Sequence, residues 1–240
     1  MRMNEVMDDL SARFLINLPK EEENRKERLF FQIEEAHWFY EDYYRKKFKL
    51  PKLNLRVFAF KIAMHSGIFL RPEEIEDEFK SFLKYKKTVP VFGALIFNGT
   101  MDKILLVKGF GPHMPYTFPR GKVCRSETDV ECAIREVFEE VGYDARSKIV
   151  KNICLDMGLS LRESKLFVVI NVPETTKFVT HTRNEIQDIR WVEIEEIRKG
   201  NAPLLSYVKT HIGKIKEIAR KIQEQKESLD RKKIKKAFGL

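Results

Sequence analysis

The segment from Gly121 to Tyr143 places its charged residues at fixed spacings along a loop that leads into a helix. It reads Gly121, five residues, Glu127, seven residues, and then Arg-Glu-Val-Phe-Glu-Glu-Val-Gly-Tyr over 135–143. In the predicted helix, Glu136, Glu139 and Glu140 are three and four residues apart, so their carboxylates share one face. Oxygen ligands clustered in this way suit Mg²⁺ or Mn²⁺, ions that bridge to substrate phosphates. The segment therefore predicts a metal site for phosphate chemistry.

Neighbouring residues support this helix. Arg135 lies four residues before Glu139 and can relieve part of the repulsion among the carboxylates. Gly142 follows the last apolar position, where helices commonly end with a left-handed residue. Gly121 follows Pro119 and Arg120, where we expect the loop to fold back tightly. The alternative is a solvated acidic helix face, which is what most charge clusters are.

The spacing resembles the Nudix box, Gly-x5-Glu-x7-Arg-Glu-U-x-Glu-Glu-x-Gly-U with U a bulky apolar residue, at every position. The resemblance implies a hydrolase of nucleoside diphosphates linked to another group, in which Gly121, Glu127, Arg135 and Gly142 support the box. The family's substrates include oxidised nucleotides, nucleotide sugars, dinucleoside polyphosphates, coenzyme A and RNA caps. The box by itself therefore does not choose the substrate.

Two kinds of periodicity divide the chain into domains. Residues 1–84 carry apolar residues at helical spacing, and β-rich runs follow at 91–97, 104–110, 153–161, 166–172 and 189–194. We predict an α+β protein with an all-α N-terminal domain over 1–84, which the resemblance described below implies is regulatory, and a hinge over 85–90, closed by a proline that disfavours helix at Val89. The second domain, 91–240, includes a helix at 128–141, and the resemblance implies a Nudix α/β/α sandwich for it.

A basic helix is predicted at about 204–234, with an apolar face that includes Val208 and Ile215. Residues 209–236 hold eleven Lys and Arg against four acids, a net charge of +7 within a chain whose net charge is +9. Such a stripe is typical of a phosphate-backbone contact, although a solvated helix or frayed tail is the alternative. The candidate RNA contacts are Lys209, Lys214, Lys216, Arg220 and Lys221.

The compartment is predicted from what the sequence lacks. No apolar run approaches the length needed to span a membrane, and the first residues lack the order of a secretory signal. Cys124, Cys132 and Cys154 have neither metal nor disulfide spacing, so we interpret them as reduced thiols. Cys132 lies on the acidic helix and is interpreted as a packing residue rather than a catalytic one. We therefore expect an intracellular protein without a membrane partner.

A second resemblance covers most of residues 8–200. Residues 8–44, 55–58, 82–86, 106–109 and 118–122 are similar to the family of eukaryotic mRNA-decapping catalytic subunits. The resemblance implies capped mRNA as substrate, a decapping activator protein bound to the helical domain, and a cytoplasmic location that extends to mRNA-decay granules. It also implies that Trp38 and Asp42 contact the cap, that Glu185 is a metal ligand or general base, and that the C-terminal basic helix binds RNA.

Trp38 and Asp42 also make physical sense as cap-binding residues. They are four residues apart on one predicted helix, so an indole and a carboxylate face the same side. The 7-methylguanine base is cationic and is attracted to an indole face, while a carboxylate can accept its N–H donors. The alternative is a core Trp beside a surface Asp. For Glu185 the alternative is a solvated side chain without a catalytic role.

We therefore predict a metal-dependent decapping hydrolase that releases 7-methylguanosine diphosphate and leaves a 5′-monophosphate on the RNA. Glu136, Glu139 and Glu140 would hold the metal, and either Glu140 or Glu185 would accept the proton of the attacking water. Arg120 and Lys122 would neutralise phosphate oxygens. The alternatives are a Nudix hydrolase of small nucleotides, such as dinucleoside polyphosphates or nucleotide sugars, and a non-catalytic RNA-binding regulator.

Overall fold

The chain forms two compact units, Met1–Thr88 and Val89–Leu240. The computed structural model describes residues 2–16, 26–68, 71–111, 113–124, 126–158, 162–200 and 202–237. Within these ranges no helix is both long enough and apolar enough to cross a membrane.

The N-terminal unit is helical. Helix α1 (Met3–Ser11) continues into a π-helical stretch, Ala12–Ile16, and α2 (Lys26–Phe39) continues into another, Tyr40–Arg45. Helices α3 (Leu55–His65) and α4 (Pro72–Thr88) follow. Their apolar faces meet in one core around Leu10, Ile33, Tyr40, Phe58 and Phe82. The helical reading of the N-terminal region is thus confirmed.

Helix α4 extends into the segment that the sequence predicts as a hinge. It runs to Thr88, so residues 85–88 are its last turn. Val89 and Pro90 are the residues between this helix and the first strand. The helix therefore stops where the residue before a proline is pushed away from helical backbone angles.

The C-terminal unit is built on a mixed sheet. Its strands are β1 (Val91–Asn98), β2 (Lys103–Gly109), β3 (Tyr116–Thr117), β4 (Arg120–Lys122), β5 (Ile149–Asp156), β6 (Ser164–Val172) and β7 (Ile186–Glu193). The main order is β3-β2-β1-β6-β5, while β4 pairs with β1 and β7 with β2. β1 runs parallel to β6 and antiparallel to β2 and β4.

The strand predicted at 153–161 differs from the structure. β5 begins earlier, at Ile149, and ends at Asp156. Its pairing with β6 is irregular between Ile149 and Cys154, which breaks the alternation that a sequence pattern relies on. Residues 159–161 of the predicted strand lie outside the described residues.

Helices cover both faces of this sheet. Helix α5 (Asp129–Val141) packs Val137 and Val141 against Ala94 and Ile96 of β1. The next residues along that strand point to the other face, as alternation in a strand requires, where Leu95 and Phe97 share a core with the C-terminal helical segment. The predicted α/β/α sandwich and the helix predicted at 128–141 are confirmed.

The C-terminal segment is not one helix over 204–234 as predicted. It comprises α6 (Ile194–Lys199), a 3₁₀ turn (Pro203–Leu205), α7 (Ser206–Lys209) and α8 (Ile212–Ala237). The break falls at Thr210, whose hydroxyl donates to the Tyr207 carbonyl at 2.7 Å and so competes with the helical backbone pattern. The predicted apolar face is nevertheless buried at Val208, Ile215, Ala219 and Ile222.

Candidate active site

Both ends of α5 are fixed by local chemistry. Thr128 caps the start, where the Thr128 backbone N–H donates to Glu131 at 2.8 Å and the Glu131 backbone N–H donates to the Thr128 hydroxyl at 3.3 Å. Gly142 ends the helix at φ +70°, and its N–H donates to the Phe138 carbonyl at 2.9 Å. The left-handed end predicted at Gly142 is confirmed. The capping pair was readable from the Thr-x-x-Glu spacing but was not part of the prediction.

Arg135 ties the loop to the acidic face of α5. Its guanidinium donates to both carboxylate oxygens of Glu127, at 3.0 and 2.8 Å. It also donates to Glu136 at 2.8 Å and to Glu139 at 2.9 Å. This planar fork lowers the pKa of Glu127 to about 2, mainly through the hydrogen bonds from Arg135. Arg135 therefore offsets repulsion between Glu136 and Glu139 and fixes the direction of their carboxylates.

Gly121 is needed for close approach rather than for a tight turn. It lies in β4 and pairs with Phe92 of β1, so the predicted fold-back at this glycine is wrong. A Cβ atom at this position would overlap the carboxylate of Glu136. Because glycine has no side chain, the strand can lie directly against the acidic face of the helix.

The acidic face of α5 is partly buried. Glu140 is only 7% exposed, and the Glu136 side chain is 12% exposed, whereas Glu139 reaches further into solvent. Burial, followed by the charges of Glu185 and Glu136, raises the pKa of Glu140 to about 9. Burial is also the main cause that raises the pKa of Glu136 to about 7. A face that is merely solvated would show neither feature, so that alternative is wrong.

Glu185 joins this face from a distant part of the sequence. It immediately precedes β7, and its charge acts on both Glu136 and Glu140. Although the residue is exposed overall, the protein around its carboxyl group raises its pKa, mainly by desolvation. A pKa that desolvation has raised is a feature of many catalytic carboxylates. The role of Glu185 stays a prediction.

The segment before Glu185 is held on the C-terminal end of α5. The backbone N–H of His181 donates to the Glu139 carbonyl at 2.8 Å, and that of Val179 donates to the Val141 carbonyl at 3.1 Å. The His181 ring stacks on Phe138, with ring centroids 4.7 Å apart. None of these contacts could be found from the sequence, because they join residues about forty positions apart.

The carboxylates fit a hard divalent cation by their chemistry. Glu136, Glu139 and Glu140 offer oxygen donors, and a cation would offset the cost of burying charge at Glu136 and Glu140. In the described part of the chain, however, no three acidic, imidazole or thiol groups already converge on one point. Arg135 draws Glu136 and Glu139 aside, while Glu140 accepts the Arg120 backbone N–H at 3.1 Å. The metal ligands therefore stay a prediction.

Arg120 connects this face to the C-terminal helical segment. Its guanidinium donates to the Tyr207 hydroxyl at 2.7 Å and lies over that ring, 5.0 Å from the centroid. The positive charge of Arg120 is also one of the factors that lower the pKa of Glu140. Lys122 contributes its carbonyl to Arg135 at 3.0 Å. Both residues border the acidic face, and their contacts with phosphate stay predictions.

In the N-terminal unit, Trp38 is 58% exposed and Asp42 is half-buried. Trp38 stands on α2, and Asp42 lies in the π-helical continuation, a type of distortion that is frequent at functional sites. The alternative of a core Trp is wrong. An exposed indole of this size is available for a ligand, and its contact with a cap stays a prediction.

The five candidate RNA contacts of the C-terminal segment are engaged within the chain. Lys209 donates to the Gly200 carbonyl at 2.7 Å, and Lys214 to the Asp156 carbonyl at 3.3 Å. Ion pairs join Lys216 to Glu195 at 2.9 Å, Arg220 to Glu224 at 2.6 Å and Lys221 to Glu217 at 2.6 Å. RNA bound here would have to exchange with these partners, and the assignment stays a prediction.

Comparisons with known proteins match both units. The family model described as "Dcp2, box A domain" matches residues 5–85, and the NUDIX domain model matches residues 87–210. The mRNA decapping complex subunit 2 of Schizosaccharomyces pombe is 42% identical over 204 residues, covering 83% of this chain and 28% of that protein. The m7GpppN-mRNA hydrolase of Saccharomyces cerevisiae is 37% identical over 199 residues, covering 82% of this chain and 20% of that protein.

A plant relative is similar to a comparable extent. The mRNA-decapping enzyme subunit 2 of Arabidopsis thaliana is 36% identical over 206 residues, covering 85% of this chain and 55% of that protein. The chain thus spans between about a fifth and just over half of the length of these curated relatives.

Proposed function

The chain belongs to the Nudix family and carries a Dcp2 box A domain ahead of its NUDIX domain, and from this premise we propose that it hydrolyses the 5′ cap of mRNA. The products would be 7-methylguanosine diphosphate and RNA with a 5′-monophosphate. The observation that carries the proposal is the set of charge-coupled carboxylates Glu136, Glu140 and Glu185, of which Glu136 and Glu140 are largely buried. The names of the relatives that share both domains favour a cap as the substrate.

The proposed chemistry is hydrolysis within the triphosphate bridge of the cap. Glu136, Glu139 and Glu140 would hold Mg²⁺ or Mn²⁺, which when bound neutralises phosphate charge and lowers the pKa of an attacking water. Arg135 engages one carboxylate oxygen of Glu136 and one of Glu139, so the second oxygen of each carboxylate would have to turn towards the metal when it binds.

Glu185 or Glu140 would accept the proton of the attacking water. Desolvation favours the neutral form of both carboxyl groups, which makes either of them a better base once it is ionised. Arg120, oriented by Tyr207, and Lys122 would bind phosphate oxygens at the edge of this face.

Trp38 and Asp42 would recognise the cap base. The indole face attracts the cationic 7-methylguanine by about 0.5–2 kcal/mol. The Asp42 carboxylate would accept the N–H donors of the guanine edge. The exposure of Trp38 supports this role, since a residue that is 58% exposed has its ring open to a ligand.

Three further assignments complete the proposal. The helical unit would bind a decapping activator protein, and the basic face of α8 would bind the body of the RNA. The protein would act in the cytoplasm, including mRNA-decay granules. The family membership supports the first and third of these assignments, and the charge of residues 209–236 supports the second.

One assay tests the activity. The full chain is incubated with Mg²⁺ and RNA whose cap carries a label, then with free cap dinucleotide and with dinucleoside polyphosphates. We expect labelled 7-methylguanosine diphosphate from capped RNA, and a rate at least about 100-fold lower for Glu140→Gln. Hydrolysis of the small nucleotides alone would contradict decapping. RNA binding without any hydrolysis would indicate a non-catalytic regulator.

A further inference from the structure

A positively charged loop in the N-terminal unit is not accounted for by the proposed function. Between residues 43 and 72 the sequence has eight Lys and Arg and no Asp or Glu. Four of these lysines, Lys46, Lys47, Lys49 and Lys52, define what we call the 46–52 loop, and all four are exposed. They form no ion pair with any described residue, in contrast to Lys216, Arg220 and Lys221 of α8.

The backbone of the 46–52 loop is held in one conformation. The N–H of Leu50 donates to the Arg45 carbonyl at 2.9 Å, and the N–H of Lys49 donates to the Lys46 carbonyl at 3.5 Å. These two hydrogen bonds are the pattern of a Schellman motif, which ends the helix. Further along, the Tyr40 hydroxyl donates to the Pro51 carbonyl at 2.6 Å, and His37 bonds the Leu53 carbonyl at 2.8 Å. The loop is therefore tied to α2 and its π-helical continuation at both ends.

Lys49 occupies the position of this helix end that glycine normally takes. Its φ of +53° lies in the left-handed region, which is unfavourable for a residue with a side chain. Backbone strain of this kind is retained mainly where the side chain serves a function. With lysine at this position, the loop carries four lysines within seven residues.

Helix stabilisation explains only part of this arrangement. Lys46 and Lys47 lie in the last turn, where cations interact favourably with the helix dipole. That effect is confined to the last turn, so it does not explain Lys52, and it does not favour lysine over glycine at position 49. Lys47 also lies over the Phe48 ring, with its ammonium 5.3 Å from the centroid, which combines a cation with an aromatic surface.

We propose that the 46–52 loop binds the sugar–phosphate backbone of single-stranded RNA. Four unpaired ammonium groups on a rigid loop match a chain of regularly spaced phosphates, which releases counterions when it binds. Apart from its lysines the loop has only apolar side chains, which cannot select one base over another by hydrogen bonding, so we expect binding that is independent of RNA sequence. This site does not depend on cap hydrolysis, and it belongs to the N-terminal unit, whereas α8 belongs to the C-terminal unit.

The test measures binding alone, so that it is independent of the proposed activity. Fluorescence anisotropy of the full chain with an uncapped single-stranded RNA is recorded in EDTA over a range of salt concentrations. The variant Lys46→Gln/Lys47→Gln/Lys52→Gln is compared with Lys80→Gln/Lys84→Gln/Lys87→Gln, which removes the same charge from exposed lysines of α4. We expect the log–log salt slope of the first variant to fall by roughly 2, at about 0.7 per phosphate contact, and that of the second to stay near the parent.

A second variant keeps the proposal testable if the triple variant is poorly folded. Lys49→Gly removes both a charge and the strained backbone, so the melting temperature should rise while the RNA affinity falls several-fold. Equal affinity losses in the loop and control variants, or parent-like affinity for Lys49→Gly, would overturn the proposal. So would unchanged RNA binding accompanied by lost binding to vesicles of anionic lipid, since the loop would then serve a membrane surface.

Discussion

Gly142 offers a direct test of how the segment before Glu185 is held. This glycine has φ +70°, and a Cβ atom there would overlap the carbonyl oxygen of Val179. Gly158 has a similar φ of +59°, but a Cβ atom there would have nothing within 4 Å. Gly142→Ala and Gly158→Ala therefore share the cost of left-handed backbone and differ in the clash with Val179.

The expected magnitudes follow from these two contributions. A left-handed backbone at alanine lowers the free energy of unfolding by about 1–2 kcal/mol. Replacing glycine also reduces the conformational freedom of the unfolded chain, which raises the free energy of unfolding by about 0.4–1 kcal/mol. Moving the Val179 carbonyl adds about 1–3 kcal/mol, which is typical when an atom is forced into a packed region. We expect the free energy of unfolding to fall by about 1 kcal/mol for Gly158→Ala and by about 2–4 kcal/mol for Gly142→Ala.

Urea unfolding of the full chain would measure this difference. The chain has two tryptophans, Trp38 in the N-terminal unit and Trp191 in the C-terminal unit, so a Trp38→Phe background leaves fluorescence that reports on the C-terminal unit. Heating should give a melting temperature about 2–4 °C lower for each kcal/mol lost in a unit of about 150 residues. Equal losses in the two glycine variants would refute the reasoning, because the contact with Val179 would then not require a glycine.

Three further predictions concern substrate binding and the acidic face. Trp38→Ala should leave the melting temperature unchanged, since the residue is 58% exposed, and should reduce the preference for methylated over unmethylated caps in competition assays. Equal losses of affinity for the two caps would argue against recognition of the positive charge. Tyr207→Phe keeps the ring beneath Arg120 but removes a 2.7 Å hydrogen bond, so we expect the free energy of unfolding to fall by about 0.5–1.5 kcal/mol. Tyr207→Leu should lower it further because it also removes the ring, and identical melting temperatures of the two variants would contradict this account. Neutralising Lys214, Lys216, Arg220 and Lys221 together should raise KM for long capped RNA and leave hydrolysis of free cap dinucleotide nearly unchanged. If this variant melts normally and has the kinetics of the parent at every salt concentration, α8 is excluded as an RNA contact.

The sequence alone was sufficient to predict α5 and the register of its carboxylates. The bounds of the helix agree with the prediction within one residue. The left-handed end predicted at Gly142 and the predicted interaction of Arg135 with Glu139 are both present. These features depend on interactions between residues no more than four positions apart, so a local pattern contains the information that determines them. The division into helical and β-rich regions was equally readable, because the two periodicities differ.

Other features were decided by contacts between distant residues. Only the tertiary structure shows that Gly121 makes room for Glu136 and that Arg120 bonds Tyr207. It also shows that Lys216, Arg220 and Lys221 of α8 already have ion-pair partners. The charge effect of Glu185 on Glu140 joins positions far apart in the chain, and the exposure of Trp38 could not be read from its spacing to Asp42. Spacing sets which residues share a helix face, whereas burial, pKa and pairing depend on what the rest of the chain places against that face.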